Sequence, residues 1–138
     1  MTPGDVAASL LHMSYSHGSI ECRKVYDLGC GTGRLAIGAA LLGAECVVGV
    51  DLDGDALDVA EKNADEMGVE VDWREADVRD FEGPKMDTVI QNPPFGVQRK
   101  GADMEFLEKA LELADEVYSI HKGVPKNRSF ISNRVKKL

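Results

Sequence analysis

The 138-residue sequence has no apolar run approaching 18 residues and no basic, apolar, small-residue leader. Neither a membrane-spanning helix nor a secretory signal is expected. Its three cysteines, Cys22, Cys30 and Cys46, are an odd number without CxxC spacing. That pattern argues against both a disulfide framework and a zinc site, and reduced, mostly structural thiols in a soluble cytoplasmic protein are expected. No acidic residue follows Glu116, whereas six of the 16 Lys and Arg residues do. The net charge of −8 therefore belongs to the body of the chain. The basic end reads either as a solvated tail or as a phosphate-contacting surface. Repeats, low-complexity stretches and linkers are also missing, so residues 1–138 are read as one domain with one site.

Apolar runs alternate with helical patterns. A helix is expected after Thr2-Pro3, with Val6, Leu10, Leu11 and Met13 on one side. Strands are expected at Lys24–Cys30, Glu45–Asp53, Val69–Trp73, Met86–Gln91 and Val117–His121, with helices at Arg34–Gly43, Gly54–Gly68 and Ala102–Glu116. Residues 122–138 show helical spacing of Phe130, Ile131, Val135 and Leu138 and are read as a basic tail helix. Continuously apolar strands alternating with helices imply a parallel sheet buried on both faces. Right-handed crossovers then give an α/β doubly wound sheet, of order 3-2-1-4-5 if the first strand is central. Its ligand crevice lies outside the carboxyl ends of the strands, where the loops after strands 1 and 4 meet.

The loop after strand 1, "DLGCGTGR" (Asp27–Arg34), has glycines at 29, 31 and 33 that permit a tight turn and close approach by a ligand. A dinucleotide fingerprint would need glycine where Arg34 stands. Asp51, 18 residues after Gly33, ends strand 2, where a carboxylate can accept from both ribose hydroxyls or can serve as a helix cap. Asp27 at the crevice would sit badly beside a pyrophosphate and suits a cofactor with a cationic or amino-acid end.

The loop after strand 4 is "QNPPFG". Pro93 and Pro94 cannot continue a parallel ladder, and Asn92 before proline is biased to extended backbone. As a simple turn, Asn-Pro would leave Phe95 to fill the core. As a site, the Asn92 side chain and adjacent carbonyls form acceptors for a planar amine. Asn92 has no useful pKa and can only hold, not abstract a proton. Holding both amine hydrogens would free the nitrogen lone pair for an electrophile, with Phe95 stacking on an extruded base.

"DLGCGTG" with the acid in "VVGVDLD" resembles class I S-adenosylmethionine-dependent methyltransferases, and Asn-Pro-Pro-aromatic resembles their amino-methylating members. The longer run "NPPFGVQRKGADMEFLEKAL…VYSIHK" is similar to the archaeal and eukaryotic adenine-N6 methyltransferases of small-subunit ribosomal RNA, the methyltransferase-like five family. The resemblance implies a Rossmann-like sheet and S-adenosylmethionine as cofactor. It implies cofactor contacts at Asp27, Gly29, Cys30, Gly31, Gly33, Asp51, Leu52, Asp77 and Val78, with Asp77 meeting the adenine amino group. Asn92, Pro93, Pro94 and Phe95 would carry catalysis, and Arg99 and Lys100 would contact RNA phosphates. Protein glutamine or guanine N2 are the alternative acceptors, and a non-catalytic ribosome-assembly module is the alternative from another class.

The eukaryotic relatives work with a small zinc-containing activator covering a sheet edge, and the free edge here is strand 3. The family's usual tyrosine ahead of Thr-Pro is missing before Met1-Thr2-Pro3. So is the antiparallel hairpin that completes its sheet, which would leave strand 5 with an open edge prone to self-association.

Overall fold

The computed structural model describes residues 4–92, 102–121 and 129–131. Helix α1 (Gly4–Ser16) leads into β1 (Lys24–Leu28), α2 (Arg34–Leu41), β2 (Cys46–Asp51), α3 (Gly54–Met67) and β3 (Asp72–Glu75). A 3₁₀ turn at Val78–Asp80 precedes β4 (Met86–Gln91), α4 (Ala102–Leu113), β5 (Ala114–His121) and β6 (Ser129–Ile131). The sheet order is β3-β2-β1-β4-β5-β6. The first five strands are parallel in the expected 3-2-1-4-5 arrangement, with β1 between β2 and β4.

The apolar strands explain this layering. Val25, Leu28, Val50, Val89, Ile90 and Val117 are fully buried, each stabilising the fold by roughly 1.5–3 kcal/mol relative to an exposed side chain. One core cluster joins Val25, Val47, Ile90 and Tyr118 to Leu10 of α1 and Leu35 and Ala36 of α2. The other, on the opposite face, joins Leu28, Val50, Val89 and Val117 to Leu107 and Ala110 of α4. Local signals set the helix ends. Asp53 caps α3 by accepting from the Asp55 and Ala56 N–H groups at 3.0 and 3.3 Å, and Gly68, in the left-handed region, stops it.

Three differences from the sequence reading go beyond one or two residues at an element's end. β3 lies at Asp72–Glu75 rather than Val69–Trp73, because Val69 still donates to Ala64 at the helix end. α4 ends at Leu113, and Ala114 already pairs with Met86. The expected tail helix is corrected at Ser129–Ile131, which forms β6 antiparallel to β5, pairing Ile120 with Phe130. Unpaired backbone groups along β5 reward a strand there, and Phe130-Ile131 suits a strand as readily as a helix. The edge expected to be open is therefore covered along Ser119–His121. Among the described residues, no helix is long and apolar enough to cross a membrane, and the three cysteines are free, with Cys30 alone buried.

Candidate functional site

The site lies where β1, β2 and β4 end side by side. Leu28 pairs with Val50 on one side and Gln91 on the other, so the ends of all three strands border one crevice. After β1 the chain turns through Gly29, Gly31 and Gly33, all with positive φ. Gly29 and Cys30 donate to the Val50 carbonyl at 2.7 and 3.0 Å, which pins the loop to β2.

Two aromatic rings, one from each face of the sheet, limit the loop. A Cβ on Gly29 would lie 3.0 Å from Phe106 of α4, and one on Gly33 would lie 2.7 Å from Trp73 of β3. With φ +90 at Gly33, any side chain would be both strained and blocked. A Cβ on Gly31 would meet nothing within 4 Å, so that glycine faces open space. α2 opens directly after Gly33 with no side-chain cap, leaving its first backbone amides toward the loop.

Asp51 joins the two loops. Its Oδ2 accepts the Gly31 N–H at 2.8 Å and its Oδ1 accepts the Asp53 N–H at 2.8 Å. A carboxylate offers about four acceptor positions, so one on each oxygen remains for a ligand. Beside it Leu52 is 65% exposed, an apolar side chain that the fold does not use.

Asp27 sits at the foot of the loop and is 1% exposed. Neither carboxylate oxygen has a hydrogen-bond partner. Burial pushes its pKa up to about 8; the Ala36 amide opposes this without closing a hydrogen bond, and the Asp51 charge adds to it. The Cys30 thiol is pushed up as well, by burial and then by Asp27 and Asp51, so it is not a ready nucleophile.

The remaining expected positions are arranged differently. Asp77 caps the 3₁₀ turn, and both its oxygens are held by Arg79. The Arg79 backbone N–H and Nε donate to Oδ1 at 3.0 Å each, and a guanidinium NH₂ donates to Oδ2 at 2.7 Å. These bonds hold the Asp77 carboxyl below its usual range. Arg79 also reaches Glu105 of α4 at 3.6 Å. Val78 is buried in the core, which leaves only its backbone for a ligand.

At the end of β4, Gln91 is fully buried and its side-chain NH₂ donates to Ser119 Oγ at 3.0 Å, while its side-chain oxygen Oε1 has no partner. Asn92 follows, half-buried, at the mouth of the crevice. Pro93, Pro94, Phe95, Arg99 and Lys100 lie outside the described residues. Sequence reasoning missed Trp73, Arg79 and Gln91. Only the Asp-x-Arg spacing in "DVR" and the polar residue closing an apolar strand could have signalled the last two.

The family model for the methyltransferase small domain matches residues 4–118. The chain belongs to that family. It is 47% identical to an rRNA N(6)-adenosine-methyltransferase of Drosophila melanogaster, over 96% of this chain and 65% of the relative. An uncharacterized protein of Methanocaldococcus jannaschii is 46% identical over 86% of this chain and 58% of its own length. The chain thus spans about three fifths of the length of these relatives. Among solved structures, a Pyrococcus horikoshii protein assigned as an RNA methyltransferase superposes with a TM-score of 0.83 at 49% identity. That match covers 91% of this chain and 61% of the other. The β3-β2-β1-β4-β5 sheet of this methyltransferase domain is thus shared with it.

Proposed function

We propose that the chain binds S-adenosylmethionine and directs its methyl group to the N6 amine of an adenine in RNA. Ribosomal RNA is the substrate class named for the Drosophila relative. The observation that carries the reading is the juxtaposition of two strand ends. The Gly29–Gly33 loop with Asp51 and the Gln91-Asn92 end of β4 adjoin through the Leu28–Gln91 pair.

The residues present fit the cofactor. Gly31 is open, Asp51 keeps an acceptor on each oxygen for two ribose hydroxyls, and Leu52 offers an apolar flank. Asp27 is a buried carboxylate without a partner, which a ligand ammonium at the loop would satisfy. When bound, the cofactor supplies an electrophilic sulfonium methyl whose thioether leaves as a neutral group.

The chain's own residues then orient the acceptor. Asn92 and the Pro93 carbonyl accept from the amine, Phe95 stacks on the base, and Arg99 and Lys100 hold phosphates. Asn92 removes no proton, so positioning carries the rate, and the nitrogen, cationic once methylated, then loses its proton to water. A small zinc-containing activator pairing along β3, an edge of the sheet, and self-association through exposed strand edges belong to the same reading, as does a cytoplasmic location.

The test is incubation with labelled cofactor and total RNA, DNA and protein, followed by mass spectrometry of nucleosides and peptides. Labelled N6-methyladenosine is expected. Label in glutamine or guanine would reassign the acceptor, and cofactor binding without any transfer would make the chain a binding module.

A further inference from the structure

Trp73 belongs to the edge strand, yet its ring reaches the centre of the site. Trp73 pairs in register with Gly49, and Gly49 with Asp27, so the three positions share one face of the sheet. Gly49 contributes no side chain, and the indole lies in the space this leaves. A Cβ on Gly49 would be 2.7 Å from ring atoms Cε3 and Cζ3 and 3.1 Å from the Cys30 sulfur. The far side of the same ring ends at the glycine loop, where a Cβ on Gly33 would be 2.7 Å from Cη2. One rigid side chain thus crosses β2 and supports the turn from which α2 starts. Gly33 holds that turn at φ +90 with no side-chain cap, and besides the Gly33 N–H bond to the Cys30 carbonyl and the Asn63 bond to the Thr32 carbonyl, the indole packed beneath it helps set where the first amides of α2 point.

We infer that Trp73 is a positioning residue for the cofactor, its indole fixing the Gly33 turn so that affinity depends on a side chain acting through the loop. The inference rests on the cofactor reading above. An edge-strand tryptophan that merely filled space would contribute to stability and leave affinity alone. A wedge under the loop contributes to both, because a binding loop displaced by about 1 Å loses much of its fit. Gly49 belongs to the same device, since the ring can cross β2 only where no Cβ stands.

The test measures S-adenosylhomocysteine binding by calorimetry alongside thermal melts, using the chain with residues 1–138. Its single tryptophan makes Trp73 emission a direct reporter of the loop. Trp73→Leu should weaken binding by about tenfold or more, and Trp73→Phe, which keeps an aromatic wedge, by about threefold. Gly49→Ala, which shifts the ring while Trp73 stays, should weaken binding by about tenfold. Leu113→Ala, a core truncation on the opposite face of the sheet, should lower the melting temperature yet leave affinity within about twofold. Wild-type emission should shift on titration with the dissociation constant that calorimetry gives.

The inference is overturned if Gly49→Ala and Trp73→Phe bind as tightly as Leu113→Ala, or if emission does not move on saturation. Should Trp73→Leu fail to fold, those two variants and the emission decide. Absence of any binding by the wild-type chain would overturn the cofactor assignment and this inference together, whereas intact wild-type binding with unchanged variants overturns the inference alone.

Discussion

The Asp51 carboxylate and the Gly31 amide are bonded at 2.8 Å across two loops, and the other oxygen of Asp51 takes the Asp53 amide at the same distance. The acid is therefore held in place before any ligand arrives, with its second acceptor positions left over. Preorganisation of this kind predicts a double loss on truncation. Asp51→Ala should weaken S-adenosylhomocysteine binding by about tenfold or more and lower stability by about 1–2 kcal/mol, because the Gly31 and Asp53 amides lose their acceptor. Asp51→Asn, which retains one acceptor oxygen, should fall between. Calorimetry and urea melts on the three proteins check this; full affinity in Asp51→Ala would remove Asp51 from the site.

Asp27 makes the ligand-free fold pH-dependent. Its folded pKa, about 8, lies above the ordinary value of 3.8, so folding takes up a proton between those limits. Stability should accordingly fall as pH rises from about 4 to about 8, by up to about 1.4 kcal/mol per unit. The carboxyls shifted down, Asp72 and Asp77, act below this window. The groups coupled to Asp27 are Asp51 and the neutral Cys30 thiol. Asp27→Asn should abolish most of the slope and be more stable than wild type at pH 8, while binding S-adenosylhomocysteine more weakly. Urea melts at pH 5.5, 7 and 8 decide it, and an unchanged slope in the variant would place the titration elsewhere.

Asn92 stands at the end of β4, beyond a fully buried Gln91 that is tied to Ser119. If its task is to hold the acceptor amine, removal should spare the cofactor and affect transfer. Asn92→Ala is expected to retain S-adenosylhomocysteine affinity within about threefold and to lose about 10²-fold or more in single-turnover methylation of structured ribosomal RNA. Transfer within threefold of wild type would rule out the orientation mechanism.

The sheet could be read from the chain because the inner strands β1, β2 and β4 are largely apolar and all but one of the crossovers between parallel strands carry an α-helix. "DLGCG" and "VVGVD" mark their own strand ends by glycine and acid. What could not be read depends on partners distant in sequence. The position of β3 follows from Trp73 pairing with Gly49 of β2, and nothing local in "VEVDWRE" favours one pair of ends over another. Phe130-Ile131 satisfies helical and extended patterns equally, and β5 selects the strand. Asp77 was legible as an acid after strand 3, but its attachment to Arg79 follows from a tight 3₁₀ turn that brings residues two apart together.

That attachment bears on how Asp77 can meet a ligand. Arg79 takes two acceptor positions on Oδ1 and one on Oδ2, which leaves about one on Oδ2 for an amino group. Arg79 thus aims the carboxylate and also competes for it. Asp77→Ala should remove discrimination between S-adenosylhomocysteine and its inosine analogue, which lacks the amino group, bringing the two affinities within about twofold. Arg79→Met should keep the discrimination and weaken both ligands by about threefold to tenfold, since the acid is present but no longer oriented. Competition titrations with the two ligands separate these outcomes. Undiminished preference for the adenosine form in Asp77→Ala would mean that the amino group is recognised by backbone alone.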